Sequence, residues 1–258
     1  MQIQSHLKIT KQQVSPYVLL PGDPNRVDMI GNYLDDFKII ANNREFRVGI
    51  GKYKGKQITV CSTGIGCPST AIAVEELIDA GARYLIRVGT CGGAWRRDIL
   101  AGTLIISTAS VRDEGTTIEY IPQGFPAVAD RDIINALVQS SDEQNGRYFV
   151  GINRTHDAFY GSQSAIIKWG MYLKEDRRKN EKTPILSSEM ESAALFVIAT
   201  LRGVKAGAIF AANANPEPLK NRVSGKNMPV IAESSEEVNK QTVDLMIRVA
   251  IEAILKLP

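Results

Sequence analysis

Apolar positions along the chain switch between two spacings, and the switch separates strands from helices. Short apolar runs of strand length lie at 17–20, 46–50, 57–61, 84–88, 103–108, 148–152 and 206–212. Those at 46–50 and 57–61 flank Tyr53-Lys-Gly-Lys56, which reads as a hairpin turn with Gly55 taking the positive φ. In 69–80 the apolar residues Ile72, Ala73, Leu77 and Ile78 recur at helical spacing, and further helices are expected near 130–139, at 188–201 and at 234–255. The last two begin with S-x-x-E, in Ser188…Glu191 and Ser234…Glu237, which predicts capping boxes. Val238, Thr242, Leu245 and Val249 line one face of the final helix. Strands alternating with helices predict a single α/β domain over 1–258, built as three layers with helices on both sides of a mixed central sheet.

At 258 residues the chain is long enough to bury a full core without disulfides or metals. Its 44% hydrophobic and 23% charged residues argue against disorder. The 31 basic and 28 acidic residues are scattered, with no stripe that would track a phosphate backbone, so no nucleic-acid partner is expected. The basic cluster at 174–179 is broken by acids and reads as a solvated segment. Cys61, Cys67 and Cys91 form no C-x-x-C pair, which fits neither a disulfide framework nor a zinc site. No apolar stretch approaches the roughly 18 residues of a membrane span, and Met-Gln-Ile-Gln-Ser-His at the start has no secretion-signal pattern. The expected setting is a reducing cytoplasm, away from membranes.

Ligands of open α/β sheets collect beyond the carboxyl ends of strands. Three glycine-rich strand exits are present: Gly22-Asp-Pro-Asn-Arg26, Thr63-Gly-Ile-Gly-Cys-Pro-Ser69 and Arg87-Val-Gly-Thr-Cys-Gly-Gly93. None matches a dinucleotide fingerprint or a P-loop. What they offer is glycine amides near Arg26 and Arg87. An arginine within Tyr84-Leu-Ile-Arg-Val88 is costly to bury alone, so Arg87 either holds an anion such as phosphate or pairs with an internal acid. Glu191 has two readings as well, a polar ligand or the third residue of a capping box. His6 lies in a chain end, and His156 follows a strand with no partner evident from the pattern.

At these same residues the chain resembles the nucleoside phosphorylase superfamily, which includes uridine phosphorylase and the hexameric purine nucleoside phosphorylases. The matching segments are Leu20-Pro-Gly-Asp-Pro-Asn-Arg26, Asn43-Arg-Glu-Phe46, the stretches 61–70 and 72–77, Ile86-Arg-Val-Gly-Thr90, the stretches 108–112 and 125–130, and Ser188-Glu-Met-Glu-Ser-Ala-Ala194. They are collinear, and 61–77 and 108–130 look most similar to uridine phosphorylase. The resemblance implies phosphorolysis of a nucleoside, uridine first, to ribose 1-phosphate and free base. Inorganic phosphate is then the co-substrate, and no cofactor is implied. By the family pattern Gly22, Arg26, Arg87 and Thr90 hold phosphate, and Arg44 is lent by a neighbouring subunit. His6 of that neighbour reaches the sugar, which Met190 and Glu191 grip through its hydroxyls. The pattern thus makes Arg87, Glu191 and His6 the catalytic set in a homo-oligomer with shared sites, a hexamer built from dimers. Phe159, Gln163 and Asn213 fall at the base. Glu45, Ile65 and Ser69 fall where uridine phosphorylase holds a monovalent cation, potassium, between subunits.

At the base end the chain departs from that branch. Ala165 stands where uridine phosphorylase has an arginine after its glutamine, and Ala212 aligns with a second arginine. The purine enzymes have Ser-Asp where this chain has Ala212-Asn213. Asn213 donates and accepts at once, so it suits a carbonyl beside a ring N–H, as in uracil or a 6-oxopurine. The alternatives to a uridine enzyme are therefore a purine nucleoside phosphorylase, a nucleosidase using water, and a nucleoside-binding homologue with little turnover.

Overall fold

The computed structural model describes residues 3–92, 96, 98–161, 184–215, 232–233 and 235–258. Its strands are β1 (Tyr17–Leu20), β2 (Asp35–Asn43), β3 (Phe46–Tyr53), β4 (Lys56–Cys61), β5 (Tyr84–Cys91), β6 (Leu104–Asp113), β7 (Ala127–Val128), β8 (Tyr148–His156), β9 (Ile185–Glu189), β10 (Lys205–Ala212), β11 (Ala214–Asn215) and β12 (Ala232–Glu233). The helices are α1 (Pro24–Gly31), α2 (Cys67–Asp79), α3 (Thr117–Tyr120), α4 (Arg131–Glu143), α5 (Ser192–Arg202) and α6 (Glu236–Leu255).

The central sheet runs β2-β3-β4-β1-β5-β10-β6-β8-β9, with β7 added to β6. It is mixed. β4, β1, β5 and β10 are mutually parallel, β6 is antiparallel to β10, and β8 and β9 follow β6 in parallel. Period-two alternation sorts the strand side chains onto two apolar layers. Leu20, Leu85 and Phe210 pack on one side with Leu77 of α2 and Phe196 of α5. Leu19, Ile86 and Ile209 pack on the other with Ile30 of α1, Leu137 of α4 and Met246 of α6. The expected α/β architecture, with helices on both faces of a mixed sheet, is present.

Part of the sheet also closes on itself. Gly92 and Ser188 exchange backbone hydrogen bonds, Gly92 N–H to Ser188 O at 3.1 Å and Ser188 N–H to Gly92 O at 3.2 Å. The far edge, β9, thereby meets β5, and β5, β10, β6, β8 and β9 close into a ring. Because β5 and β9 run in opposite directions and touch only at their tips, the carboxyl ends of two oppositely directed sets of strands converge there.

Turns and helix starts follow local chemistry. The β3–β4 turn has φ of 47° at Lys54 and 82° at Gly55, the primed geometry that suits a two-residue hairpin. Asp23 caps α1 by accepting from Asn25 N–H at 2.9 Å, and Pro24 starts the helix where no donor is needed. The α2 helix starts at Cys67, two residues before the expected 69, after Gly66 at φ 96°. The α6 helix is capped by Ser235, whose hydroxyl accepts from Val238 N–H; the cap falls one residue after the expected Ser234, and with Val238 at its third position no capping box forms.

Candidate active site

Arg87 shares its side of β5 with Leu85, the side that α2 and α5 cover, so its guanidinium is directed at the start of those helices. Its side chain is only 5% exposed. Nη2 is paired with Glu191 Oε2, Nε lies 3.3 Å from Glu189 Oε2, and Nη1 donates to Thr63 Oγ1 at 3.4 Å. The internal-pair reading of Arg87 is thus met, in part by Glu191, a residue expected to hold the sugar. Burial of one cation among two carboxylates is tolerable because each partner is also hydrogen-bonded.

Glu189, which no local spacing in the sequence marks out, is the most thoroughly bonded side chain of the group. Its Oε1 accepts from Asn153 Nδ2 at 3.0 Å, Thr155 Oγ1 at 2.5 Å and Ser192 N–H at 3.1 Å. Its Oε2 accepts from the N–H groups of Glu191 and Ser192, both at 2.9 Å. Burial and then the adjacent Glu191 push its carboxyl upward, against Arg87, the Thr155 hydroxyl and the Glu191 amide. The signal available in the sequence was a pair of acids two residues apart, Glu189 and Glu191, downstream of a lone arginine in an apolar strand.

The capping box expected at Ser188 and Glu191 does not form. Ser188 belongs to β9, whose polar residues Ser187, Ser188 and Glu189 hid it, and α5 begins only at Ser192. Glu191 sits at the cap position with no side-chain cap bond; Glu189 serves the first amides instead. The carboxylate of Glu191 is left to Arg87, to Gly66 N–H at 2.8 Å and to Met190 N–H at 3.2 Å.

Arg26, in the first turn of α1, reaches the same place without such partners. It donates weakly to Val88 O at 3.5 Å, and among the described residues no carboxylate lies within ion-pair distance of it. Burial first and the Arg87 charge second pull its guanidinium below its usual value, opposed by Asp23. Two neighbouring guanidiniums, one without an acid, are a site that an anion would stabilise. Gly22 backs onto them. A Cβ there would lie 3.3 Å from Gly64 O and 3.6 Å from Arg87 Nη2, so its absence leaves the approach open.

These residues line one cavity of about 790 Å³. Gly22, Arg26, Arg87, Thr90, Met190 and Glu191 are brought together in it, with Asn213 and the exposed Phe159 on its walls. Glu45, Ile65 and Ser69 line it too. Ser69 Oγ donates to Glu45 Oε1 at 2.9 Å, while Ile65 is 78% exposed. Gln163 lies outside the described residues. His6 and Arg44 do not line this cavity. His6 is bound at Nδ1 to Glu76 Oε1 of α2 at 2.7 Å, and its carbonyl accepts from Asn43 Nδ2 at 2.8 Å. Arg44 is exposed on the adjoining β2–β3 turn at φ 56°. Both lie on one outer surface of the chain.

The thiols nearby are protonated at neutral pH. Burial pushes Cys91 up to about 12 and Cys67 higher still, and Cys67 donates to Met190 O at 3.3 Å. Among the described residues no three His, Cys, Asp or Glu side chains group as metal ligands, and no helix is long and apolar enough to cross a membrane.

The profile described as "Phosphorylase superfamily" matches residues 16–255. The chain is 42% identical over 219 residues to a uridine phosphorylase of Thermococcus kodakarensis, covering 83% of this chain and 78% of the relative. It is 35% identical over 257 residues to a guanosine phosphorylase of Halorubrum lacusprofundi, covering 98% of this chain and 99% of that one. The crystal structure of a uridine phosphorylase from Vibrio fischeri superposes with a TM-score of 0.83 at 34% identity, covering 99% of this chain and 98% of the other.

Proposed function

The chain belongs to the phosphorylase superfamily, and on that premise we propose that it is a pentosyltransferase that cleaves a nucleoside with inorganic phosphate, releasing ribose 1-phosphate and the free base. The observation that carries this is the placing of Arg26 and Arg87 beside Glu191 and Met190 in one cavity. Phosphate enters between the two guanidiniums, against Gly22 and Thr90, where charge-assisted bonds replace its hydration. Glu191 takes the 2′ and 3′ hydroxyls and Met190 packs on the sugar. With C1′ aimed at a phosphate oxygen, positioning of the two reactants removes on the order of 7–11 kcal/mol of barrier. As the base departs, positive charge grows on the sugar and the adjacent phosphate stabilises it. In this structure Arg87 and Glu191 satisfy each other; catalysis exchanges that pair for phosphate and diol.

Uridine is the preferred substrate in this reading, supported by the 42% identity to a uridine phosphorylase. Phe159 stacks on the base, Asn213 reads its carbonyl and N–H edge, and Gln163 adds a further contact. A guanosine substrate is the second reading, favoured by the relative aligned over 98% of the chain and by Asn213, which fits a 6-oxopurine equally well. Arg44 and His6 complete the neighbouring subunit's site in a hexamer built from dimers, supported by their shared place on an outer surface. The oxygens of Glu45 and Ser69, with Ile65, fit a potassium ion as half of a site between two subunits, Ser69 and Glu45 being already in contact. Three buried free thiols suit a reducing cytoplasm.

The test is base release from uridine, thymidine, inosine, guanosine and adenosine, with and without phosphate. Release that requires phosphate is expected, with uridine fastest. Release without phosphate would make the chain a nucleosidase, and tight binding with no release a nucleoside-binding homologue.

A further inference from the structure

His156 is the last residue of β8, one step beyond the register pair Thr155↔Glu189, which sets it level with Met190 beside the catalytic carboxylate. It lines the same cavity as Arg87 and Glu191, and so does Phe159, three residues later in a 3-10 turn. Its backbone is held firmly. The preceding Thr155 hydroxyl donates to Glu189 and accepts from Ala193 N–H at 3.0 Å, so the strand end that carries His156 is tied to the start of α5. Besides its cations and carboxylates, the cavity therefore presents an imidazole, an aromatic ring and a carboxamide.

The departing base needs help of a particular kind. When the C1′–N bond breaks, its electron pair goes to the base, and negative charge spreads onto the ring nitrogens and carbonyl oxygens. Phe159 can stack on that anion but donates no hydrogen bond to it.

We propose that His156 donates a hydrogen bond from its ring N–H to the departing base and is a catalytic, leaving-group residue of this enzyme. The proposal rests on the phosphorolytic reading of the cavity. The imidazole acts as a neutral donor and keeps its proton. A phosphate oxygen forms the new bond to C1′, the C1′–N pair leaves with the base, and the proton shed by the new phosphate ester restores the neutral base through solvent. Two surroundings suit this role. Burial and the Arg154 guanidinium hold the ring below its ordinary range, against the Ala158 backbone, Asp113 and Asp157, so the ring is uncharged at neutral pH. A neutral ring also avoids a third cation at a site that must still release an anionic product.

The experiment compares nucleosides that differ in how readily the base leaves. His156→Ala should lower kcat on uridine by roughly 10- to 100-fold, the size of one hydrogen bond to a charged group, with the phosphate KM unchanged. On 5-nitrouridine, whose base carries the negative charge more easily, the loss should shrink to a few-fold. His156→Gln, which keeps an N–H donor, should recover part of the uridine rate. Guanosine and 7-methylguanosine form the matching pair if a purine is the faster substrate. Equal losses on poor and good leaving groups, or no loss at all, would overturn this role while leaving phosphorolysis standing. A wild-type enzyme that releases no base with phosphate would sink the phosphorolytic reading, and this role with it.

Discussion

Arg26 and Arg87 reach the same cavity under different constraints, and single substitutions should separate them. Arg87 neutralises two buried carboxylates, whereas Arg26 has no acid within ion-pair distance among the described residues. Arg87→Gln leaves Glu189 and Glu191 without their counter-charge, at a cost of about 3–5 kcal/mol. In a chain of this size that lowers the melting midpoint by roughly ten degrees. Arg26→Gln removes a guanidinium that burial and Arg87 already disfavour, so the midpoint should hold while the phosphate KM rises roughly 10- to 100-fold. Calorimetric melting and phosphate titration of the two variants check this; a large drop in melting for Arg26→Gln would show that it has a structural partner. At this scale the sequence was readable where chemistry broke a pattern, as at Arg87 inside an apolar run. It misled at Ser188-Glu-Met-Glu191, where a strand end and a helix start abut and the spacing of a capping box arises without one. Glu189, Asn153 and Thr155 stayed hidden because their contact depends on the register of β8 against β9, which no local spacing encodes.

Among the elements, the apolar buried strands were legible because alternation sorts their residues onto two apolar layers, while the buried but polar β9 was not. Nor was the β2 strand. It is an edge strand of mostly partly exposed residues, and its one aromatic anchor, Phe37, packs where Gly31 and Gly49 leave room; a Cβ at either would come within 2.3 Å of the ring. That pairing of a large residue with two distant glycines is invisible to periodicity. A similar fit fixes α4 against the sheet, where a Cβ at Gly207 of β10 would lie 2.3 Å from Ile133 Cγ2. Gly207→Ala must therefore push α4 outward or force Ile133 from its rotamer, costing about 1–3 kcal/mol. Because Gly207 faces the layer of α4 and α6 and the cavity lies toward α2 and α5, folded Gly207→Ala should keep its phosphate KM. Denaturant unfolding and steady-state kinetics on the one variant measure both, and a changed phosphate KM would mean that the two layers are coupled through β10.

For the whole molecule, the placement of His6 and Arg44 away from their own chain's cavity turns subunit sharing into an arithmetic question. In the proposed shared-site oligomer, Arg26→Gln should damage a subunit's own site and Arg44→Gln the site next door. In mixed dimers of the two, one site carries both defects and the other carries neither. Mixing the two impaired proteins under conditions of subunit exchange should restore about a quarter of the wild-type activity. No recovery on mixing, with exchange verified by mass, would place Arg44 outside the neighbour's site. The ring closed between Gly92 and Ser188 has a consequence in time as well as in shape. Two amide hydrogens, on nitrogens 3.1 and 3.2 Å from their acceptors, join the strand that carries Arg87 to the strand that carries Glu189. Whenever that junction parts, those hydrogens become free to trade with solvent deuterium. Ribose 1-phosphate bound across it would lengthen the interval between partings, so deuterium uptake at Gly92 and Ser188 should slow markedly while the amides joining β1 to β4 keep their pace. Unaltered uptake at both positions would mean that ligands leave the junction untouched. Slowed uptake would make these two hydrogens a clock for how long the enzyme holds its product.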